Sequence, residues 1–291
     1  LLKRFFDWLK SLFFPSSKPD PMTLARRDLN GAPEIGEPYD MSTYTPVYGR
    51  PVAGQTTGVV IFAGQSLFSN YIKGTYSMTQ SNAHMLNPYN GGVYDVKEPV
   101  VGANGGLPGS LGYPYGSMSA TVADLLRAAG WRQRVIIGNC CAGGTSSAQW
   151  ATGDCVQRIR VMCRRMRAND LTPDVIFWHQ GETDEISGFT SSQVRDNIRA
   201  VKAIFVEEGV TCPMLVCLVA RSSAGAVGGA NYLAVRQGQA DACSVALGIY
   251  QGPDTDIYDN TYRWDGLHFN NTTGRSAVAT DAKNAIMALV P

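Results

Sequence analysis

The sequence predicts an α/β fold in which a mostly parallel sheet is covered by helices on both faces. Short runs dense in Val, Ile and Phe recur without polar alternation, as strands buried on both sides require. Between them lie longer stretches with apolar residues three and four apart, the helical period. Strand and helix thus alternate, the pattern of βαβ units. No internal repeat or low-complexity tract interrupts it.

The first strand is Thr57–Ala63. Residues 67–118, rich in Gly, Asn, Tyr and Pro, read as a long excursion over the strand ends. Ser119–Ala129 is a helix stopped by Gly130, and Arg134–Gly138 is the second strand. Trp150–Met166 is helical, and the cluster Arg158, Arg160, Arg164, Arg165 and Arg167 reads as a solvated face opposite its Val and Met residues. Pro173–Trp178 is the third strand. Helix Ser191–Glu208 carries Val194, Ile198, Val201 and Phe205 on one stripe, with Gly209 as its cap. Met214–Ala220 is the fourth strand, Ala224–Gly229 a loop of small residues, and Tyr232–Ala242 a helix. Val245–Ile249 reads as a fifth strand, Asp254-Thr255-Asp256 as a turn, and Gly274–Leu289 as the closing helix.

Composition narrows the function. The 291 residues are 44% hydrophobic and 17% charged, which excludes a disordered chain. With 25 basic against 24 acidic residues, nothing calls for nucleic acid or an acidic membrane as partner. Seven cysteines, an odd number, read mainly as buried thiols, with Cys155 and Cys163 as a candidate pair; no CxxC suggests a zinc ribbon. The start of the chain, without an initiator Met, reads as a fragment or a processed product. Leu1, Phe5, Trp8, Leu9 and Leu12 share one helical face, too interrupted by charge for a signal peptide or a membrane span. Three parts result: residues 1–20 as an amphipathic segment and linker, 21–56 as an extended arm, and 57–291 as the main domain. The amphipathic segment suggests docking to a larger assembly or surface, with packing on its own domain as the equal alternative; the compartment stays open, an extracellular, cell-surface, virion or prophage setting being one expectation.

Four polar clusters fall where such folds place their reactive loops, beyond the C-terminal strand ends or just before the last helix. They are Gly64-Gln65-Ser66-Leu67, Asn139 to Ser146, Trp178-His179-Gln180-Gly181-Glu182-Thr183-Asp184, and Trp264-Asp265-Gly266-Leu267-His268-Phe269. A serine hydroxyl is a poor nucleophile without a base. His268 is the candidate base for Ser66, and Asp265 the group that holds its tautomer. The amides of Ser66 and Gly143 and the side chain of Gln180 are the candidate donors to a developing oxyanion, with Gly144 as an alternative to Gly143. Gln65, Asn70, His179, Glu182 and Asp184 are candidates for substrate contact or loop support. Glu182 and Asp184 tempt as a glycosidase pair but suit hydrogen bonds that hold the Gln180 loop. Metal-assisted hydrolysis by His179, Glu182 and Asp184 is a further alternative; the serine reading needs no metal or cofactor.

These clusters resemble the SGNH (GDSL-like) hydrolases, and more narrowly the sialate O-acetylesterase and acetylxylan esterase branch, carbohydrate esterase family 6. The resemblance rests on Gly64-Gln65-Ser66, on Gly143-Gly144-Thr145 followed by Trp150, on the Trp-x-Gln-Gly-Glu-x-Asp run from Trp178 to Asp184, and on Asp265-x-x-His268-Phe269. It covers about residues 57–289. Leu67 stands where the family often has Asn, with Asn70 further on, and Cys140-Cys141 is an unusual doublet. The resemblance implies a three-layer α/β/α hydrolase with Ser66 as nucleophile, His268 as base, Asp265 as its orienter, and Gly143 and Gln180 in the oxyanion hole. The expected activity is removal of O-acetyl groups from a glycan or a small acetyl ester, with Tyr71, Tyr76, Tyr89 and Tyr94 lining the cleft. The competing expectation is a non-catalytic carbohydrate-binding or structural protein on an esterase fold.

Overall fold

The computed structural model describes residues 39–103, 115–222 and 227–291. The segment expected at 1–20, the arm up to residue 38 and the first half of the small-residue loop at 224–229 lie outside them. The strands are β1 (Pro46–Val47), β2 (Thr57–Gly64), β3 (Asn70–Lys73), β4 (Ala83–Leu86), β5 (Val93–Asp95), β6 (Tyr115–Ser117), β7 (Arg134–Asn139), β8 (Val175–His179), β9 (Met214–Leu218) and β10 (Ile249–Asp254). The helices are α1 (Met118–Ala128), α2 (Ser147–Ala151), α3 (Val156–Ala168), α4 (Glu182–Ile186), α5 (Ser191–Glu207), α6 (Ala230–Ala242) and α7 (Thr273–Leu289).

Eight strands form the main sheet in the order β1-β5-β4-β7-β2-β8-β9-β10, and β3 pairs with β6 separately. From β4 to β10 every neighbouring pair is parallel; β5 runs antiparallel to both β1 and β4. Alternate residues of each strand feed opposite layers. Val60 and Phe62 of β2 pack with Val122 and Leu126 of α1 and Val278 and Ile286 of α7. Val59, Ile61 and Ala63 pack with Ile159 and Met162 of α3 and Val194, Ile198 and Phe205 of α5. This is a three-layer α/β/α sandwich. It explains the unbroken apolar runs, because both strand faces leave water.

Five expectations change. The stretch 67–118 does more than run over strand ends, since β4 and β5 extend the main sheet. Val245–Ile249 is not a strand: residues 245–247 form a 3-10 turn, Gly248 takes a left-handed conformation, and β10 starts at Ile249 and runs through Asp254. The helix expected at Trp150–Met166 is two helices, α2 and α3. The arginine cluster is also no simple solvated face. Arg158 is fully buried and donates to the carbonyls of Gly102 (2.6 Å), Cys140 (2.7 Å) and Cys141 (3.1 Å). Arg160 and Arg164 grip Glu208, and Arg165 reaches the carbonyls of Pro88 and Tyr89. Helical spacing alone did not show that carbonyl-rich loops lie over this helix. All seven cysteines are free, Cys155 and Cys163 included.

Arg158 therefore ties down the chain leaving β7. Replacing it with Met keeps most of the volume but strands the buried carbonyls of Gly102 and Cys140, each costing about 1–3 kcal/mol, and leaves Cys141 only the longer contact with the Ser69 hydroxyl. Arg158→Met should lower unfolding stability by roughly 3 kcal/mol or more, read as a lower urea midpoint at unchanged slope.

Candidate active site

The parallel register brings three of the four polar clusters together. Phe62 pairs with Asn139 of β7, and Gly64 pairs with His179 of β8, so the chains leaving β2, β7 and β8 emerge side by side. Gly64 has φ +127°, and a Cβ there would lie 2.0 Å from the His179 carbonyl oxygen. Only glycine lets β2 press this closely on β8 and then turn sharply. Residues 66–68 form a 3-10 turn with Gln65 as its N-cap, which starts the nucleophile loop at Ser66.

The chain leaving β7 is held by its own side chains. Asn139 accepts from the Cys141 amide (2.9 Å) and donates to the Phe68 carbonyl (2.8 Å), joining this loop to the serine turn. Thr145 donates to the Ala142 carbonyl and accepts from the Trp150 indole, both at 2.8 Å, which closes the Gly143-Gly144 turn. A Cβ on Gly143 would lie 2.6 Å from the Tyr71 hydroxyl. Among the described residues, neither the Gly143 nor the Gly144 amide has a hydrogen-bond acceptor.

The fourth cluster arrives from the sheet edge. β10 lies three strand positions from β2, about 14 Å at the usual strand spacing. Arg263, with a fully buried side chain, fastens the returning chain. It donates to the carbonyls of Tyr258 (3.1 Å), Thr255 (3.1 Å) and Leu267, and its guanidinium lies 4.3 Å from the Phe269 ring. The Trp264 indole donates to the Tyr71 carbonyl at 3.2 Å.

On this support stands a row of three side chains. Asp265 Oδ2 is 2.7 Å from His268 Nδ1, and His268 Nε2 is 3.0 Å from Ser66 Oγ. Asp265 also accepts from the amides of Leu267 (2.9 Å) and His268 (2.6 Å). Burial pushes the Asp265 carboxyl up, but the hydrogen bonds and charge of His268 and the two amides outweigh it and hold it below the ordinary carboxylate range. An ionised Asp265 accepts a hydrogen bond from Nδ1–H, which keeps the proton on Nδ1 and leaves Nε2 as the acceptor facing the serine hydroxyl. The Tyr71 ring stacks on the imidazole at 5.0 Å and 15°, and Trp264 stacks at 6.1 Å and 23° while staying 37% exposed.

The other candidates serve as supports. Asn70 is buried, donates to the carbonyls of Val100 and Ala103, and accepts from the Val100 amide. His179 is buried and pairs through Nε2 with Thr255 (2.9 Å); burial and the nearby Arg263 charge push it down to about 3, so it stays neutral. Glu182 accepts from the Gly181 amide, and Asp184 from the Ser147 amide at 2.7 Å. His179, Glu182 and Asp184 therefore turn to three separate partners and make neither a metal cage nor a facing carboxylate pair. Both N–H groups of the Gln180 amide are committed, to Gln65 Oε1 (2.8 Å) and the Thr145 carbonyl (2.7 Å), so its expected donation to an oxyanion is corrected. Of the four tyrosines expected in a cleft, Tyr71 lies against the imidazole; Tyr76 pairs with Asp124, Tyr89 is buried against Tyr39, and Tyr94 accepts from Asn90. Sequence reasoning missed Arg263, whose place directly before Trp264-Asp265 was its only signal.

No family model and no curated protein sequence matches the chain. Solved structures share its fold. A protein from Arabidopsis thaliana matches with a TM-score of 0.62 at 14% identity, covering 81% of this chain and 100% of that one. NanS matches with 0.57 at 14% identity, covering 84% and 98%. A carbohydrate acetylesterase from Xanthomonas citri matches with 0.55 at 17% identity, covering 80% of this chain and 56% of its own. At such identities the likeness is one of architecture, and the chain has the SGNH-hydrolase-like fold. Among the described residues no helix is long and apolar enough to cross a membrane.

The buried carboxyls beneath the site set a pH dependence. Burial pushes Glu182 from near 4.5 up to about 8, and Asp184 from near 3.8 up to about 6. Between those values the folded chain keeps a proton that the unfolded chain releases. The fold is favoured below the lower value and loses that advantage as pH rises through the upper one. Melting temperature should fall from pH 5 to pH 8. Glu182→Gln, which carries no such proton, should gain on the parent as pH rises; a constant difference across the series would refute this.

Proposed function

We propose that this protein is a serine esterase that removes O-acetyl groups from a carbohydrate through an acyl-enzyme. The observation that carries the reading is the unbroken row Asp265, His268, Ser66 at 2.7 and 3.0 Å. Ser66 Oγ attacks the acetyl carbonyl carbon as His268 Nε2 takes its proton, and the carbonyl electron pair moves onto oxygen. The free amide of Gly143 and the amide of Ser66 supply donors for that charge. When the intermediate collapses, the bond to the sugar oxygen breaks and His268 returns the proton to it. Water, deprotonated by the same imidazole, then releases acetate and restores Ser66.

Two features favour a small acyl group on a sugar. The Tyr71 hydroxyl packs against Gly143, where an added Cβ would lie 2.6 Å from it, so the wall beside the candidate oxyanion donor is close. The Trp264 indole, partly exposed beside the imidazole, offers the flat apolar face that suits the C–H side of a sugar ring. The Xanthomonas citri protein of the same fold is a carbohydrate acetylesterase. The motifs at Gly64-Gln65-Ser66, Trp178 to Asp184 and Asp265-x-x-His268 are similar to those of the sialate O-acetylesterase and carbohydrate esterase family 6 branch, which supports this reading.

The test is turnover of 4-nitrophenyl acetate together with acetate release from a panel of acetylated polysaccharides. Ser66→Ala should lose about 100,000-fold or more in kcat. Asp265→Asn, which disturbs the tautomer, should lose about 1,000- to 10,000-fold. Equal turnover in parent and Ser66→Ala would overturn this reading, and turnover in neither would favour the non-catalytic one.

A further inference from the structure

Two side-chain amides beneath the serine turn have their orientations forced by the backbone. The Thr145 carbonyl can only accept, so the group facing it at 2.7 Å must be the Gln180 Nε2. The Thr183 amide can only donate, so the atom it meets at 3.3 Å must be the Gln65 Oε1. The contact between the two side chains, Gln180 Nε2 to Gln65 Oε1 at 2.8 Å, agrees with both assignments. Thr145 carbonyl, Gln180, Gln65 and the Thr183 amide thus form one chain of fixed polarity.

Two atoms are left over. Gln180 Oε1 is buried with no hydrogen-bond partner among the described residues and, being an acceptor, is of no use to an oxyanion. The other is Gln65 Nε2. Gln65 is 3% exposed, yet among the described residues this nitrogen has no acceptor and is not fully enclosed. It carries two N–H groups, belongs to the residue directly before Ser66, and remains in touch with solvent.

Resting on the esterase reading, we propose that the Gln65 side-chain amide is the third oxyanion donor beside the amides of Ser66 and Gly143, and that Gln180 is a positioning residue that aims it. The preceding turn already holds Gln65 at the N-cap of the 3-10 turn, and the Gln180 and Thr183 donors remove its freedom to flip. A donor held in advance stabilises charge without reorganising when the charge appears. Gln180 acts without touching substrate: its two N–H groups stay on the protein throughout.

The test compares acetyl esters with their thiono analogues, whose C=S sulfur accepts hydrogen bonds poorly. In the parent, kcat for the oxo ester should greatly exceed that for the thiono ester. Gln65→Met, of similar length but without donors, should reduce kcat on the oxo ester about 100-fold or more. KM should stay within about threefold, and the oxo-to-thiono ratio should fall at least tenfold. The ratio is internal to each variant, so a poorly folded fraction does not alter it. Gln180→Leu should lower the same ratio through loss of aim, and the double variant should lose less than the product of the two. An unchanged ratio in Gln65→Met with a reduced one in Gln180→Leu would return the role to Gln180.

A second measurement is made on the parent protein, with one variant used only for assignment. Side-chain amide proton signals are followed by NMR before and after Ser66 is phosphonylated by a fluorophosphonate, with Gln65→Glu assigning the Gln65 pair. A downfield move of the Gln65 signal on phosphonylation supports the proposal; movement of the Gln180 signal alone overturns it. Absence of Ser66-dependent turnover in the parent would instead remove the esterase reading, and this inference with it.

Discussion

Everything at the site depends on holding one loop across the edge of the sheet. Ser66 leaves a central strand, whereas His268 follows the outermost one. The chain between β10 and α7 must come back over β9 and β8, and it has no sheet ladder to guide it. A buried guanidinium supplies the guide. Arg263 takes carbonyls from both ends of the excursion, Thr255 and Tyr258 on one side and Leu267 on the other. With those in place, Asp265 needs only to fold its carboxylate back onto the amides of residues 267 and 268 to set the imidazole.

The layer beneath the site is polar, buried and closely spaced. His179, Glu182, Asp184 and Gln180 are all buried, and among the described residues each has one atom without a hydrogen-bond partner. Burial makes the neutral forms of Glu182 and of His179 the favoured ones, so this layer adds hydrogen-bonding direction without adding much charge. That suits a site in which negative charge develops on substrate. The layer directs side chains, and the single ionised carboxylate nearest the reaction is Asp265, held by His268.

Much of this is legible in the order of residues alone. Unalternating apolar runs predict a parallel sheet, and the polar clusters that follow them predict where chemistry lies. Gly64-Gln65-Ser66 and Asp265-x-x-His268 stand out because a nucleophile turn and an imidazole with its orienter use few residue types at short spacing. Helix α5 is readable almost to its ends from one apolar stripe. By contrast, Arg158 looks like one more surface arginine, since a helix pattern shows which side a residue faces but not what covers that side. The strand expected at 245–249 fails because a left-handed glycine at 248 turns the chain just where apolar residues suggest extension.

The sequence by itself determined the element types, the C-terminal placement of the reactive loops and the kinds of side chain available there. These follow from local periodicity and from turn chemistry, which act over a few residues. Tertiary structure alone decided which atoms face one another. It gave the Gln180 amide to Gln65 and Thr145, stacked Tyr71 on His268, and separated His179 from Glu182 and Asp184. Hydrogen bonds demand positions correct to a fraction of an ångström between groups far apart in the chain, and only the packed sheet and its tethered loops set positions that finely.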